Sequence, residues 1–241
     1  MPLRALTVDF WNTMVVARTG GERRQQQRLD HLLAVVRAAR PEASEADVRT
    51  AYRAASERYH AAWTGTHTTP ACATLVRCIW EALELDVSDA DHAEAVRVFE
   101  EGLLYGPPDL ADGLAEALAH AAERYRLAIL SDTMFSPGRV IRRLLDQRGL
   151  LRLFDASVFS DETGVAKPDA RAFERAAEAL GAAPHEIAHI GDLRRTDVAG
   201  ARRFGARAVL YTGVRPDPDD APAPDAVLTH WRDLPRVLEA L

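Results

Sequence analysis

At 241 residues the chain is long enough for one large domain, or for one domain carrying an insertion, with a sizeable buried core. Hydrophobic residues at 47% and charged residues at 27% are an ordinary water-soluble composition, and no apolar run approaches the 18 residues that suggest a membrane span. The net charge of −6, with acidic residues interleaved among the arginines, argues against nucleic-acid and membrane-surface partners.

In chain order, MPLRALTVDF lacks the long apolar stretch of a signal peptide, so a cytoplasmic location is expected. LTVDF reads as a strand that ends on Asp9. From about residue 18 to 104 the apolar spacing is helical throughout. QQQRLDHLLAVVRAA opens this stretch, and Ser44 is the expected N-cap of a second helix through Trp63. Thr69-Pro70 reads as N-cap and first position of a third helix, and Ser88 begins a fourth. Cys72 and Cys78, on one helix, lie roughly 9 Å apart by helical rise, too far for a disulfide. They are expected to be packed thiols in a reducing compartment.

After Pro107-Pro108 the pattern changes to helix and strand in alternation. DLADGLAEALAHAAER, PGRVIRRLLDQRG, DARAFERAAEALG, DVAGARRFG and LPRVLEAL read as helices. YRLAILSD, FDASVFSD, EIAHIGD, ARAVLYTG and DAVLTH read as strands, and RPDPDDAPAPD, 215–225, as a surface loop. Short apolar strands alternating with helices predict an α/β fold: a doubly wound parallel sheet with an inserted helical unit. Ligands of such sheets bind beyond the carboxyl ends of the strands.

Those ends carry Asp9, Ser131, Lys167 in the loop after FDASVFSD, and Gly191-Asp192, with Asp197 five residues later. Lys167 is the one lysine of a chain whose other basic side chains are all arginine. Carboxylate oxygens with room for water suit Mg²⁺, an ammonium neutralises an anionic substrate, and a carboxylate is itself a nucleophile in phosphoryl transfer. Asp197 and Asp132 each have a second reading as helix caps, as does Thr133. His189, four residues from His185 but in a strand, reads as packed and not as a ligand.

In order and in position, DFWNT, LAILSD, the lysine of AKPD, and GDLRRTD resemble the four motifs of the haloacid dehalogenase (HAD) superfamily. The resemblance covers the chain outside the helical stretch, which sits where that superfamily carries a C1-type cap. It implies a Rossmann-like core of residues 1–17 and 105–241 and a cap of residues 18–104. It also implies that Asp9 is the nucleophile, that Ser131 bonds the phosphoryl or leaving group, and that Lys167 holds Asp9 and the substrate anion. Mg²⁺ would rest on Asp9, the main-chain carbonyl of Trp11 and Asp192, with Asp197 supporting that shell through water or Lys167. Trp11, Asn12 and Asp132 would face a small, anionic substrate in a monomer or homodimer.

One position departs from the pattern. Phosphatases of the superfamily carry an acid/base Asp two residues after the nucleophile, where this chain has Trp11. Indole does not exchange a proton at neutral pH. Asn12 replaces a Gly, and Asn tolerates the left-handed region. Three readings follow. The first is a Mg²⁺-dependent phosphohydrolase for leaving groups that need no protonation, such as acyl phosphates, or one that borrows Asp132 or His67 as its acid. The second is a 2-haloacid dehalogenase-like enzyme, since dehalogenases of the superfamily have an aromatic residue here, although they lack the Asp192 carboxylate. The third is a catalytically weak binding or regulatory protein. Phosphonate chemistry through a cap lysine is closed, because Lys167 belongs to the core. Arg18, Arg23, Arg24 and the WTGTHTTP loop are expected to bear on substrate choice.

Overall fold

The computed structural model describes residues 2–217 and 219–241, so Met1 and Pro218 of the expected loop lie outside the described residues. In chain order the elements are β1 (Ala5–Val8), β2 (Val15–Val16), α1 (Gly21–Ala39), α2 (Glu45–Gly65), α3 (Cys72–Ala82), α4 (Asp89–Tyr105), β3 (Asp109–Leu110), α5 (Leu114–Ala122), β4 (Arg126–Ser131), α6 (Gly138–Gln147), β5 (Ala156–Phe159), α7 (Ser160–Thr163), α8 (Ala170–Leu180), β6 (Ile187–Gly191), α9 (Ala199–Phe204), β7 (Arg207–Tyr211), β8 (Ala226–Leu228) and α10 (Leu234–Glu239).

Six strands form one sheet in the order β5-β4-β1-β6-β7-β8, and every pair is parallel. This is the doubly wound α/β fold that the alternation predicts. Alternate side chains feed opposite faces, as strand periodicity requires. Leu6, Val8, Leu127 and Ile129 pack on one side with Leu118, Ile141 and Leu238 of α5, α6 and α10. Ala5, Ala128 and Leu130 pack on the other with Phe173 and Ala201 of α8 and α9. The winding direction reverses at β1, whose neighbours β4 and β6 belong to the two halves of the sheet. The crevice therefore opens at the carboxyl end of β1, where Asp9 stands.

Helices α1 to α4 surround an apolar core of their own, built on Leu32, Val48, Leu75, Ile79 and Phe99. Ser44 and Ser88 cap α2 and α4 as expected, accepting from the main chain of Asp47 and Asp91 at 3.2 and 3.1 Å. The third cap differs: α3 begins at Cys72 with Ala71 before it, and the Thr69 hydroxyl donates to Ser160 Oγ at 2.7 Å instead. That bond spans the helical unit and the sheet, and it outcompetes a local cap. Both cysteines are free, and burial pushes the Cys72 thiol up to about 12, which keeps it protonated.

The chain enters and leaves the helical unit through a pair of crossings that the sequence pattern did not suggest. Val15–Val16 and Asp109–Leu110 pair antiparallel as β2 and β3. Beyond them Gly20, at φ +67°, meets Gly106 so closely that a Cβ on Gly20 would lie 2.4 Å from the Gly106 carbonyl oxygen. Arg24 clasps both crossings, donating to the carbonyls of Thr19 and Gly106 at 3.0 and 2.6 Å. Among the described residues no helix is long and apolar enough to cross a membrane.

Candidate active site

Asp9 extends the β1–β6 pairing by one residue, its N–H donating to the Ile190 carbonyl at 2.9 Å. The chain then turns. Met14 and Val15 donate back to the Phe10 carbonyl, and the indole of Trp231 donates to the Thr13 carbonyl at 3.1 Å. Asn12 takes φ +55°, the left-handed value its side chain tolerates, and its Oδ1 accepts from Ala17 N at 3.3 Å.

Asp9 is buried, and its two oxygens differ. Oδ1 accepts from Lys167 Nζ at 2.6 Å and Ser131 Oγ at 3.0 Å, whereas Oδ2 accepts from Thr13 Oγ1 at 3.2 Å. Lys167 spends all three ammonium protons inside the protein, on Asp9, on Asp197 Oδ1 at 2.6 Å and on the Leu130 carbonyl at 3.1 Å. It neutralises the site by charge, and no donor remains for the substrate anion that the family pattern gives it.

Asp197 is no helix cap. Its Oδ1 accepts from Lys167 and His189, and its Oδ2 from Leu193 N at 3.0 Å and Thr196 Oγ1 at 3.1 Å. With these acceptor positions filled, direct metal ligation is not what the geometry carries; support through Lys167 is. Only glycine at 191 lets it come so near, since a Cβ there would lie 2.2 Å from the Asp197 carboxyl carbon. His189 is packed, as expected, but it also belongs to this chain of bonds. Burial lowers its pKa, so the ring is neutral, and Asp197 is an acceptor. Nε2–H therefore donates to Asp197 at 3.0 Å, and Nδ1 accepts from Thr7 Oγ1 at 2.8 Å. Burial would raise Asp197 and lower Lys167, but their mutual attraction outweighs it: Asp197 stays below the usual carboxylate range and Lys167 above the usual amine range.

Asp132 does not cap α6 either. The N-terminus of α6 is met by Asp161, whose Oδ1 accepts from Gly138 N at 3.1 Å and from Thr133 Oγ1 at 2.9 Å. Asp132 instead accepts from Lys167 N at 3.0 Å and from the indole of Trp63 at 2.8 Å. Trp63 lies on α2, so this bond ties the helical unit to the sheet. The guanidinium of Arg195 covers the same ring at 3.7 Å. Of the residues of the helical unit expected to matter, Arg24, Trp63 and Thr64 line the cavity above Asp9, which measures about 670 Å³. Arg18, Arg23 and His67 are not among its lining residues. His67 engages the sheet side through its carbonyl, which accepts from Ala166 N at 2.8 Å, so it is not placed to replace the missing acid.

Thr13, Thr7, Arg195 and Arg215 are site residues that sequence reasoning passed over. Thr13 stands four residues after Asp9, a spacing that a search for hydroxyls around the nucleophile would have caught. Arg215 lies in the loop after β7 and carries no local signal. Its Nε and Nη2 both donate to Asp192 Oδ2 at 2.8 Å.

A small divalent cation asks for hard oxygens and room for water. Among the described residues no group of three His, Cys, Asp or Glu side chains is arranged to hold one. The chain offers two carboxylates at this place, Asp9 and Asp192, beside the main chain of Trp11 and an open cavity. Burial raises Asp9, and Asp197 adds to this against the pull of Lys167. Asp192 is pushed up to about 7 by burial first, then by Asp9 and Asp197, with Arg215 opposing. Excess negative charge of this kind is what a bound cation relieves, so the donor set fits Mg²⁺.

The Asp192 shift gives a pH prediction. Between its ordinary value of 3.8 and about 7, the native carboxyl holds a proton that the unfolded chain has lost. Its contribution to stability therefore falls as pH rises through that window. In chelator, thermal unfolding of Asp192→Asn is expected to show a shallower decline from pH 4.5 to 7 than the wild type. An equal decline would show that Asp192 is ionised throughout.

The chain matches the family model of haloacid dehalogenase-like hydrolases over residues 3–205. It is 37% identical to a phosphoserine phosphatase of Thermus thermophilus over an alignment covering 52% of this chain and 58% of that protein, so it spans little more than half of that relative's length. Over nearly full length its fold matches a 2-haloacid dehalogenase from Pseudomonas syringae, with TM-score 0.76, 22% identity and 98% of each chain covered. It also matches a HAD phosphatase from Thermococcus onnurineus, with TM-score 0.70, 19% identity and 99% of each chain covered. At these identities the structural matches speak to fold alone.

Proposed function

The chain belongs to the haloacid dehalogenase-like hydrolases, and from that premise we propose that it is a Mg²⁺-dependent phosphohydrolase of small phosphorylated molecules, working with reduced acid/base help. The observation that carries this reading is the polarised carboxylate of Asp9. Lys167 and Ser131 hold Oδ1, which leaves Oδ2 as the oxygen facing reaction. The similarity to a phosphoserine phosphatase supports the same class of chemistry. Residues 18–104 are assigned the role of cap, closing over the strand ends and excluding water.

In this mechanism Asp9 Oδ2 attacks phosphorus, and the bond from phosphorus to the leaving oxygen breaks with its electron pair on that oxygen. Water then attacks the aspartyl phosphate at phosphorus, and the Asp9 carboxylate is restored. Lys167 offsets the charge of the Asp9 carboxylate before attack and again as it is released, and Asp197, oriented by His189, keeps the ammonium in place. Asp9, Asp192 and the Trp11 carbonyl would hold Mg²⁺, which would supply positive charge to the phosphoryl oxygens.

Acetyl phosphate with Mg²⁺ is expected to add the mass of one phosphoryl group to the intact protein, and Asp9→Asn is expected to abolish the adduct. An adduct that survives Asp9→Asn would remove Asp9 from the role. A second reading, carbon–halogen hydrolysis, is favoured by one observation: Arg215 neutralises Asp192 without a metal, beside an aromatic Trp11. Chloride release from 2-chloropropionate in chelator, with no phosphoryl adduct, would select it.

A further inference from the structure

We propose that the natural substrate is an aromatic phosphate ester, whose leaving group is a flat apolar ring carrying a weakly basic oxygen. This rests on the phosphohydrolase reading and goes beyond it. Three features of the cavity lead to it.

The first is the supply of protons. An alkyl ester leaves as a strongly basic alkoxide and needs an acid beside it, whereas a phenol, with a pKa of about 10, leaves as a far weaker base. Trp11 stands where the acid would be. The carboxylate of Asp132 is already held by Trp63 and Lys167 N. The protons of Lys167 are committed to Asp9, Asp197 and Leu130. Burial pushes the Tyr59 hydroxyl far up, which makes it a weak acid toward a leaving oxygen. The lining also holds Asp192, which Arg215 engages and which is assigned to the cation, and His60, which is solvent-exposed on α2.

The second is the wall. Trp11, Tyr59, Trp63, Met134 and Phe135 line the same cavity, and Tyr59 and Trp63 stack within 18° of parallel. At about 670 Å³ the space suits a ring system. The third is the state of the lining cations. Arg24 is engaged with carbonyls, and Arg28 donates to the Phe99 carbonyl at 2.7 Å and lies over Phe135 at 4.9 Å. Arg195 covers Trp63 and Arg215 holds Asp192. Arg24, Arg28 and Arg215 spend N–H donors within the protein and Arg195 turns its face to a ring, so the lining sets planar guanidinium faces beside its aromatic wall.

The balanced reaction needs no protein acid. Asp9 Oδ2 displaces the phenolate, which takes the electron pair of the broken P–O bond and collects its proton in solvent. Water then displaces Asp9 from phosphorus, and its two hydrogens leave on dihydrogen phosphate.

The test is a substrate series with Mg²⁺: ring-substituted phenyl phosphates of graded leaving-group pKa, 1-naphthyl phosphate, glycerol 3-phosphate and phosphoglycolate, with acetyl phosphate to load Asp9. For the wild type, kcat/KM is expected to fall steeply with leaving-group pKa. The aryl esters should exceed the alkyl esters by about 100-fold or more. Phe135→Leu should lower the naphthyl-to-acetyl ratio of kcat/KM by about tenfold. Alkyl and aryl esters within tenfold of each other, or phosphoglycolate as the better substrate, would overturn the proposal and leave the phosphohydrolase reading standing. A slope that steepens in His60→Gln would also overturn it, by revealing an acid. Failure of acetyl phosphate to load Asp9 would instead overturn the phosphohydrolase reading itself. The wild-type series decides the matter even where a variant fails to fold.

Discussion

Lys167→Met is expected to cost phosphoryl transfer on the order of 10³-fold or more, and to destabilise the fold by about 3–5 kcal/mol at neutral pH. The two effects share one cause. The ammonium lies between Asp9 and Asp197 at 2.6 Å from each, and it is 2% exposed. Removing it leaves two buried carboxylates facing each other without compensation. The pH dependence of the Asp197 contribution changes sign with it. In the wild type Asp197 is held below its ordinary 3.8, so its contribution is present above that value and is lost as pH falls toward its native pKa. In the variant, Asp197 should rise above its ordinary value and Asp9, already raised by burial, should rise further, so stability should fall from pH 5 to pH 8 more steeply than in the wild type. Urea unfolding at both values checks this. Adding Asp197→Asn to Lys167→Met should recover part of the stability and none of the turnover, which separates the structural role of the ammonium from its chemical one. Equal stability of wild type and single variant at pH 8 would mean that a water-filled niche, and not a buried ion pair, surrounds Lys167.

The strands and their ends were legible because the physics that builds them is local. Short apolar runs set between helices made the six sheet strands readable, and a polar residue ending several of them marked where the crevice would lie. Asp9, Ser131, Lys167 and Asp192 could be assigned to one crevice for that reason, and the lone lysine drew notice by composition. What escaped was set by contacts distant in sequence. The β2–β3 pair joins two-residue segments about 90 positions apart, and two residues leave no periodicity to read. Arg215 reaches Asp192 from a loop of proline and aspartate whose composition announces only a turn. Asp132 and Asp197 were open between capping and the site because a carboxylate before a helix looks the same in either case. The choice was made by Trp63 and Lys167 from elsewhere in the chain. Thr69-Pro70 carried a sound local signal for a cap and lost to a bond with Ser160.

Trp11→Asp is expected to raise kcat/KM for alkyl phosphates by about 10²–10⁴-fold. The backbone is already prepared for the change. Asn12 holds the turn at φ +55°, and the part proposed for position 11 in holding a cation falls to its main-chain carbonyl, which the substitution leaves in place. The new carboxyl would enter the cavity that the indole now lines, near the guanidinium of Arg24, which lies 5.8 Å from the Trp11 ring. Arg24 clasps carbonyls and, among the described residues, forms no ion pair, so the added charge meets a cation that nothing yet neutralises. The cost is packing. Trp11 is half-buried, edge-on to Phe10 at 5.0 Å, and its loss should destabilise the protein by about 1–3 kcal/mol. Aryl phosphates should gain little from the acid, because their oxygen leaves without it, and they should lose affinity with the indole wall. The ratio of alkyl to aryl turnover is therefore the quantity to measure, since a general loss of folded protein cancels from it. A large rise in that ratio would mean that the catalytic core is intact and that Trp11 alone restricts it to good leaving groups. No rise, in a variant that still loads Asp9 from acetyl phosphate, would place the restriction in the cavity walls and not in the missing proton.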